Sequence, residues 1–180
     1  SLDFGLGFYE FFCLCEALHC EPLPVLNAGM TCPGQSPNYT VYAVNSDAFR
    51  QCVQDALDLV EFCRGGTDTR WGAVRAAMGH PEPFDLTMIA IGNEQWQSEY
   101  YTHYLAFVEA FDRAAEENPE LYGGIHLIVA NGPSSGSGEG WDYEGIQPPP
   151  VCSMAYLTTR TPLDSKSWEY RGGFFYNSGE

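Results

Sequence analysis

One stretch narrows what this chain can fold into: Leu86-Thr87-Met88-Ile89-Ala90-Ile91-Gly92-Asn93-Glu94-Gln95-Trp96. Its first half is a short apolar run between Asp85 and Gly92, which reads as a buried strand. The run is near-continuously apolar rather than alternating, as in a parallel strand covered on both faces. It then stops at an amide, a carboxylate and an indole: Asn93, Glu94 and Trp96. A β/α barrel presents catalytic groups in this way, at the C-terminal ends of its strands.

The flanking segments alternate. Phe4 to His19 reads as an apolar helix, with Phe8, Phe11, Phe12, Cys15 and Leu18 on one face and Gly5 and Gly7 weakening its start. Glu21 to Gly29 reads as a strand ending in Asn27-Ala28-Gly29, and a loop follows from Met30 to Asn45. Ser46-Asp47 can cap a helix carrying Phe49, Val53, Ala56, Leu57, Val60 and Cys63, which Gly65-Gly66 stops. A long loop of about fifteen residues then leads to the central strand. It holds Arg70, Trp71 and His80, the last read as fixing a turn between Gly79 and Pro81. Ser98 caps a helix through Glu117 with a stripe of Tyr104, Phe107, Val108, Phe111 and Ala115, ended by Asn118-Pro119. Ile125 to Asn131 is another apolar strand, followed by a Ser/Gly-rich loop. Val151 to Tyr156 is a weaker strand, and Gly173 to Glu180 a last one that ends in a carboxylate. Such alternation means α/β with a parallel sheet. A complete (β/α)8 barrel takes about 250 residues. The 180 residues here predict a partial (β/α)8 TIM barrel, with a smaller doubly wound sheet as the alternative.

Charge and motifs exclude several functions. The formal net charge is −16, which argues against nucleic acid and anionic membranes as partners. No apolar run is long enough for a transmembrane segment. No Gly-x-Gly-x-x-Gly follows a strand and no Walker sequence occurs, so no nucleotide cofactor is expected. The seven cysteines (13, 15, 20, 32, 52, 63 and 152) lack paired CxxC or HxxxH spacing, so no metal is expected either. Asn38-Tyr39-Thr40 is an N-glycosylation sequon in a Pro/Gly-rich loop. Cysteines and sequon together point to an oxidising compartment and a secreted glycoprotein with disulfides. Cys52 and Cys63 fall in one helix and cannot pair with each other. The odd count leaves at least one thiol free or paired outside the chain.

Two glutamates, Glu94 and Glu180, stand at predicted strand ends. Paired carboxylates are the equipment of glycoside hydrolysis. One stays protonated to donate to the leaving oxygen, which partial desolvation achieves; the other stays ionised to attack the anomeric carbon. Asn93 can bond a sugar hydroxyl and Trp96 can stack on an apolar sugar face. Asn27 and Asn131 can line a pocket or cap loops, and Tyr156 can orient a carboxylate or serve as a core tyrosine.

Several words of the sequence, in order and spacing, resemble glycoside hydrolase family 51 α-L-arabinofuranosidases. They are Asn27-Ala28-Gly29, the segment Val53 to Phe62, Trp71-Gly72-Ala73-Val74-Arg75, Met78-Gly79-His80-Pro81-Glu82-Pro83-Phe84 and Ile91-Gly92-Asn93-Glu94-Gln95-Trp96. The similarity runs from about Phe4 to Pro133 and less clearly to the end. It implies a retaining (β/α)8 barrel acting on arabinose-containing polysaccharide or glycoprotein glycan. Glu94 would be its acid/base and Glu180, in Gly179-Glu180, its nucleophile. On this resemblance residues 1–180 form part of one catalytic domain, without its first two strands and its last, and other chains are candidates to complete the barrel. Where the family carries an acidic-His-Tyr-Tyr cluster, this chain has Cys152-Ser153-Met154-Ala155-Tyr156, and Gln97 replaces a usual glycine. Those departures favour an alternative: an inactive, glycosidase-like structural or glycan-binding subunit of an extracellular assembly.

Overall fold

A computed structural model describes residues 5–31, 40–93, 95, 98–130, 156–159 and 169–171. Within them the chain runs α1 (Phe8–Leu18), β1 (Val25–Leu26), α2 (Asp47–Arg64), α3 (Arg70–Ala77), β2 (Met88–Ile91), α4 (Ser98–Glu117), α5 (Pro119–Tyr122), β3 (His126–Ala130), β4 (Tyr156–Thr159) and β5 (Glu169–Arg171). The strands form one sheet in the order β1-β2-β3-β4-β5. β1, β2 and β3 are parallel, with Val25 opposite Ala90 and Ala90 opposite Ile128. The α/β alternation with a parallel sheet is therefore present across the first three strands.

Local chemistry sets the helix limits. α1 starts at Phe8 rather than Phe4, because Gly7 serves as its N-cap and the Glu10 carboxylate accepts the Gly7 N–H at 2.8 Å. α2 begins after Ser46, whose hydroxyl accepts the Phe49 N–H at 3.2 Å, as the sequence predicts. α4 spans the predicted residues. The stripe Tyr104, Phe107, Val108 and Phe111 is buried, joined by Tyr100.

Two helices depart from the sequence reading. The stretch taken as a loop of about fifteen residues contains α3, capped by the Thr69 hydroxyl on the Gly72 N–H. It lacks an apolar stripe because its buried positions are Gly72 and Arg75. α5 is a single turn capped by Asn118, whose side chain accepts the Leu121 N–H at 3.2 Å.

The far side of the sheet also differs from expectation. β4 runs antiparallel to β3, with Tyr156 opposite Ala130, and β5 antiparallel to β4. The all-parallel order expected of a barrel thus ends at β3. An antiparallel partner needs no crossover helix, and the Ser/Gly/Pro-rich sequence after Ala130 offers no helical stripe to make one. The expected strand Val151–Tyr156 meets β4 only at Tyr156, and Gly173–Glu180 lies outside the described residues.

The core lies between the sheet and α2 and α4. Ile89, Ala90, Ile91, Leu127, Ile128 and Val129 pack against Phe49, Ala56, Val60, Phe107 and Phe111. At β1 the covering is thinner: Val25 is 44% exposed, and on α1 Phe8 and Leu18 are 44% and 64% exposed. Only Phe12 and Cys15 of the predicted α1 stripe are buried.

Arg75 closes the corner between α2, α3 and β2. Its side chain is fully buried, and its guanidinium donates five hydrogen bonds to main-chain carbonyls. The acceptors are Phe62, Cys63 and Gly65 at the end of α2, and His80 and Pro81 after α3. All five donors of the group are used. His80, read from sequence as a turn residue, binds the Glu82 carbonyl and the Glu16 carboxylate and stacks on Phe84 at 4.1 Å between ring centres. Replacing Arg75 by Met strands those carbonyls, so Arg75→Met should lose about 3 kcal/mol of stability in urea denaturation. Arg75→Lys should recover little of it, since an ammonium cannot span the same fork.

Candidate active site

The C-terminal ends of β1, β2 and β3 lie side by side, and each delivers a different group. β1 ends in Asn27-Ala28-Gly29. The exposed Asn27 side chain folds back so that its Oδ1 accepts the Gly29 N–H at 2.9 Å. This turn suits Gly29, whose φ is +78° and where a Cβ would meet the Phe49 ring at 2.7 Å. β2 ends at Ile91, and the chain turns sharply at Gly92 with φ +77°. Asn93 follows, exposed.

Three side chains behind these ends hold them in place. Gln95 is 7% exposed; its Oε1 accepts the Asn93 N–H at 2.7 Å and its Nε2 donates to the Met30 carbonyl at 3.2 Å. It therefore ties the loop after β2 to the loop after β1. The Tyr100 hydroxyl donates to the Ile91 carbonyl at 2.6 Å and accepts the Ala130 N–H at 2.7 Å. That single oxygen joins the ends of β2 and β3. His103, 2% exposed, places Nδ1 2.6 Å from the Ala28 carbonyl and packs against Phe49 at 4.5 Å. Below them the Tyr104 hydroxyl donates to the Leu127 carbonyl at 3.0 Å, and burial pushes that phenol far above its usual pKa, so it stays a donor.

The structure thus brings Asn27 and Asn93 to the same edge of the sheet and sets Tyr156 in register with Ala130 at that edge. Glu94, Trp96, Glu180 and Asn131 lie outside the described residues, as does the sequon residue Asn38. Gln95, Tyr100 and His103 were not singled out in the sequence. Gln95 sits inside the same polar cluster as Asn93, and Tyr100 continues the stripe of Tyr104 one turn earlier, so both carried a readable signal. His103 carried none beyond its place in an apolar helix.

Other features of the described residues are structural. Cys13, Cys15, Cys20, Cys52 and Cys63 are free thiols; Cys32 and Cys152 fall outside the described residues. Among the described residues no His, Cys, Asp and Glu cluster is placed to hold a metal, and no helix is long and apolar enough to cross a membrane. A depression of about 520 Å³ between α1, α2 and α3 is lined mainly by Phe8, Leu59, Phe62, Trp71, Val74 and Met78. Its carboxylates, Asp55 and Asp58, accept from Gln51 and Gln54 one turn back along α2.

The sequence matches the family model described as the alpha-L-arabinofuranosidase 1 domain over residues 3–150. The chain belongs to this family. Alpha-L-arabinofuranosidase 2 of Arabidopsis thaliana is 46% identical over 113 residues, 62% of this chain and 16% of the relative. The extracellular exo-alpha-L-arabinofuranosidase of Streptomyces chartreusis is 36% identical over 142 residues, 78% of this chain and 16% of the relative. Alpha-L-arabinofuranosidase A of Aspergillus kawachii is 34% identical over 116 residues, 61% of this chain and 18% of the relative. The aligned segments of this arabinofuranosidase-family chain therefore span less than a fifth of the length of these curated relatives. No solved structure gives a significant match.

The supports behind the family's polar edge can be tested directly. A Cβ at position 92 would sit 2.5 Å from Gln95 Oε1 and 2.9 Å from Tyr100 Cε2, at a backbone angle unsuited to side chains. Gly92→Ala should therefore cost about 1–3 kcal/mol in chemical denaturation. Tyr100→Phe, which strips the bridge from Ile91 and Ala130, should cost about 1–3 kcal/mol by the same measurement.

Proposed function

We propose that this chain is part of the catalytic domain of a retaining, exo-acting α-L-arabinofuranosidase. Its substrates are arabinose-containing polysaccharides or glycoprotein glycans, from which it removes terminal α-L-arabinofuranosyl residues. The observation that carries the reading is the end of β2: Asn93 is exposed there, its main chain pinned by Gln95, immediately before Glu94. The parallel strands then form part of a (β/α)8 barrel, completed by further segments or other chains. The name of the Streptomyces relative, extracellular and exo-acting, favours a secreted protein; the Asn38 sequon and the cysteines of the sequence add a glycan and disulfides to this reading.

In this reading Glu94 is protonated in the resting site and donates its proton to the glycosidic oxygen. Glu180 attacks the anomeric carbon from the opposite face, with the two carboxyl groups about 5 Å apart. Glu94, now ionised, takes a proton from the water that releases the sugar. Asn93 and Asn27 bond sugar hydroxyls, Trp96 stacks on the ring, and Tyr156 orients a carboxylate.

A second reading keeps the family membership without the chemistry. The residues Cys152-Ser153-Met154-Ala155 replace the acids and histidine of the resemblance, and β4 breaks the parallel order. Both favour a structural or glycan-binding subunit.

Release of arabinose from an alkyl α-L-arabinofuranoside by the full protein, beside Glu94→Gln, separates the two. The variant should lose about 10²- to 10⁴-fold in rate. The loss should shrink on a nitrophenyl arabinofuranoside, whose leaving group needs less protonation. Unchanged activity in the variant would remove Glu94 from the mechanism. A folded native protein without activity would favour the subunit.

A further inference from the structure

The C-terminus of α1 places two thiols together in a way the site does not use. Cys15 and Cys20 are five residues apart, a span that in a continuous helix rises about 7.5 Å along the axis, too far for a disulfide. The helix does not continue. His19 adopts φ 54°, ψ 41°, the one non-glycine residue with positive φ among the described residues. Its N–H and that of Cys20 return to the carbonyls of Glu16 and Cys15, both at 3.0 Å. These are the paired bonds of a Schellman turn, which folds the second residue past the helix back over its fourth-last residue. Apolar side chains commonly meet at that contact. Here both are cysteines: the Cys20 thiol donates to the Cys15 carbonyl at 3.7 Å, and its proximity helps to raise the pKa of the Cys15 thiol.

We propose that Cys15 and Cys20 form a disulfide that closes the α1 cap, by exchange with a small-molecule disulfide. Cys20 is exposed and Cys15 buried, which sets the order of the steps. Both residues border a depression of about 410 Å³ lined also by Phe12, Glu16, Glu21 and Asp85, wide enough to admit the reagent. The Cys20 thiolate attacks one sulfur of the incoming disulfide, releasing one thiolate and leaving a mixed disulfide. The Cys15 thiolate then attacks Cys20 Sγ, expelling the second thiolate. Two protein thiols are oxidised to one S–S bond, and the reagent disulfide is reduced to two thiols, which take up the two protons. Burial and the neighbouring Cys20 hold the Cys15 thiol above its usual pKa, so closure is the step that gains from alkaline pH. The groups facing the pair are Glu16, His19 and Glu21 on its own segment and Asp85 across the depression, with His80 bound to Glu16. Three carboxylates there favour a cationic disulfide over an anionic one.

The test uses cystamine, a dicationic disulfide, on the full protein, followed by thiol blocking and cleavage after glutamate. Such cleavage cuts after Glu10 and Glu16 but not between Glu21 and Pro22, which puts Cys13 and Cys15 in one peptide (11–16) and Cys20 in the next (17–61), together with Cys32 and Cys52. The native protein should yield the two peptides joined, lighter by two hydrogens, and released by reduction. In Cys15→Ala they should separate, with a persistent cysteamine adduct on Cys20. Cys20→Ser, altered only at an exposed position, should yield them separate and without an adduct at Cys15. Native peptides that stay separate, with or without an adduct, would overturn the proposal. So would joined peptides in Cys15→Ala, which would assign the bond to Cys13, or in Cys20→Ser, which would assign it to Cys32 or Cys52.

Discussion

A single buried cation holds the part of the fold from which the central strand emerges. The Arg75 guanidinium meets five main-chain carbonyls and satisfies each of its donors. Two helices end or begin there with carbonyls that their own hydrogen bonds leave over, and a solvent-free corner would otherwise strand them. The arrangement sets the end of α2, the exit of α3 and, through the Phe84 N–H on the Cys63 carbonyl at 2.7 Å, the approach to β2. Glu61 adds to it by accepting the Trp71 N–H at 2.9 Å in the first turn of α3. The corner is thus polar at its centre and apolar around it, the inverse of the packing that holds α4 on the sheet.

That inversion explains what the sequence conceals. Apolar periodicity reveals α2 and α4, whose inward faces are Phe49, Ala56, Val60 and Phe107, Val108, Phe111. It is blind to α3, where the inward residues are a glycine and an arginine. The extent of β1 and the placement and direction of β4 fail for another reason. A strand two residues long, with Val25 exposed, leaves little pattern to read, and the sequence of a strand does not state whether its neighbour runs with it or against it.

The site was legible to a different degree. Asn27 and Asn93 stand at strand ends as the sequence reads, because a polar residue directly after an apolar run marks such an end, and parallel strands align these ends at one edge. The second layer was hidden. Gln95, Tyr100 and His103 act by reaching main-chain carbonyls and N–H groups, and a sequence carries no mark of which side chain will find a backbone partner. The resemblance to the family names candidates at the front of this edge, and the geometry supplies the side chains behind it.

The Tyr100 hydroxyl has a consequence for the sheet as a whole. In a parallel ladder a slip of two residues returns every side chain to its own face, so burial alone punishes such a slip weakly. One hydroxyl has a single proton, here given to Ile91, and lone pairs, here offered to Ala130. It can do both only when the Ile91 carbonyl and the N–H of Ala130, one residue beyond Ile91's partner Val129, converge on one point. Tyr100 therefore acts as a gauge of absolute register. It separates the native alignment of β2 and β3 from the slipped one that the core alone would tolerate.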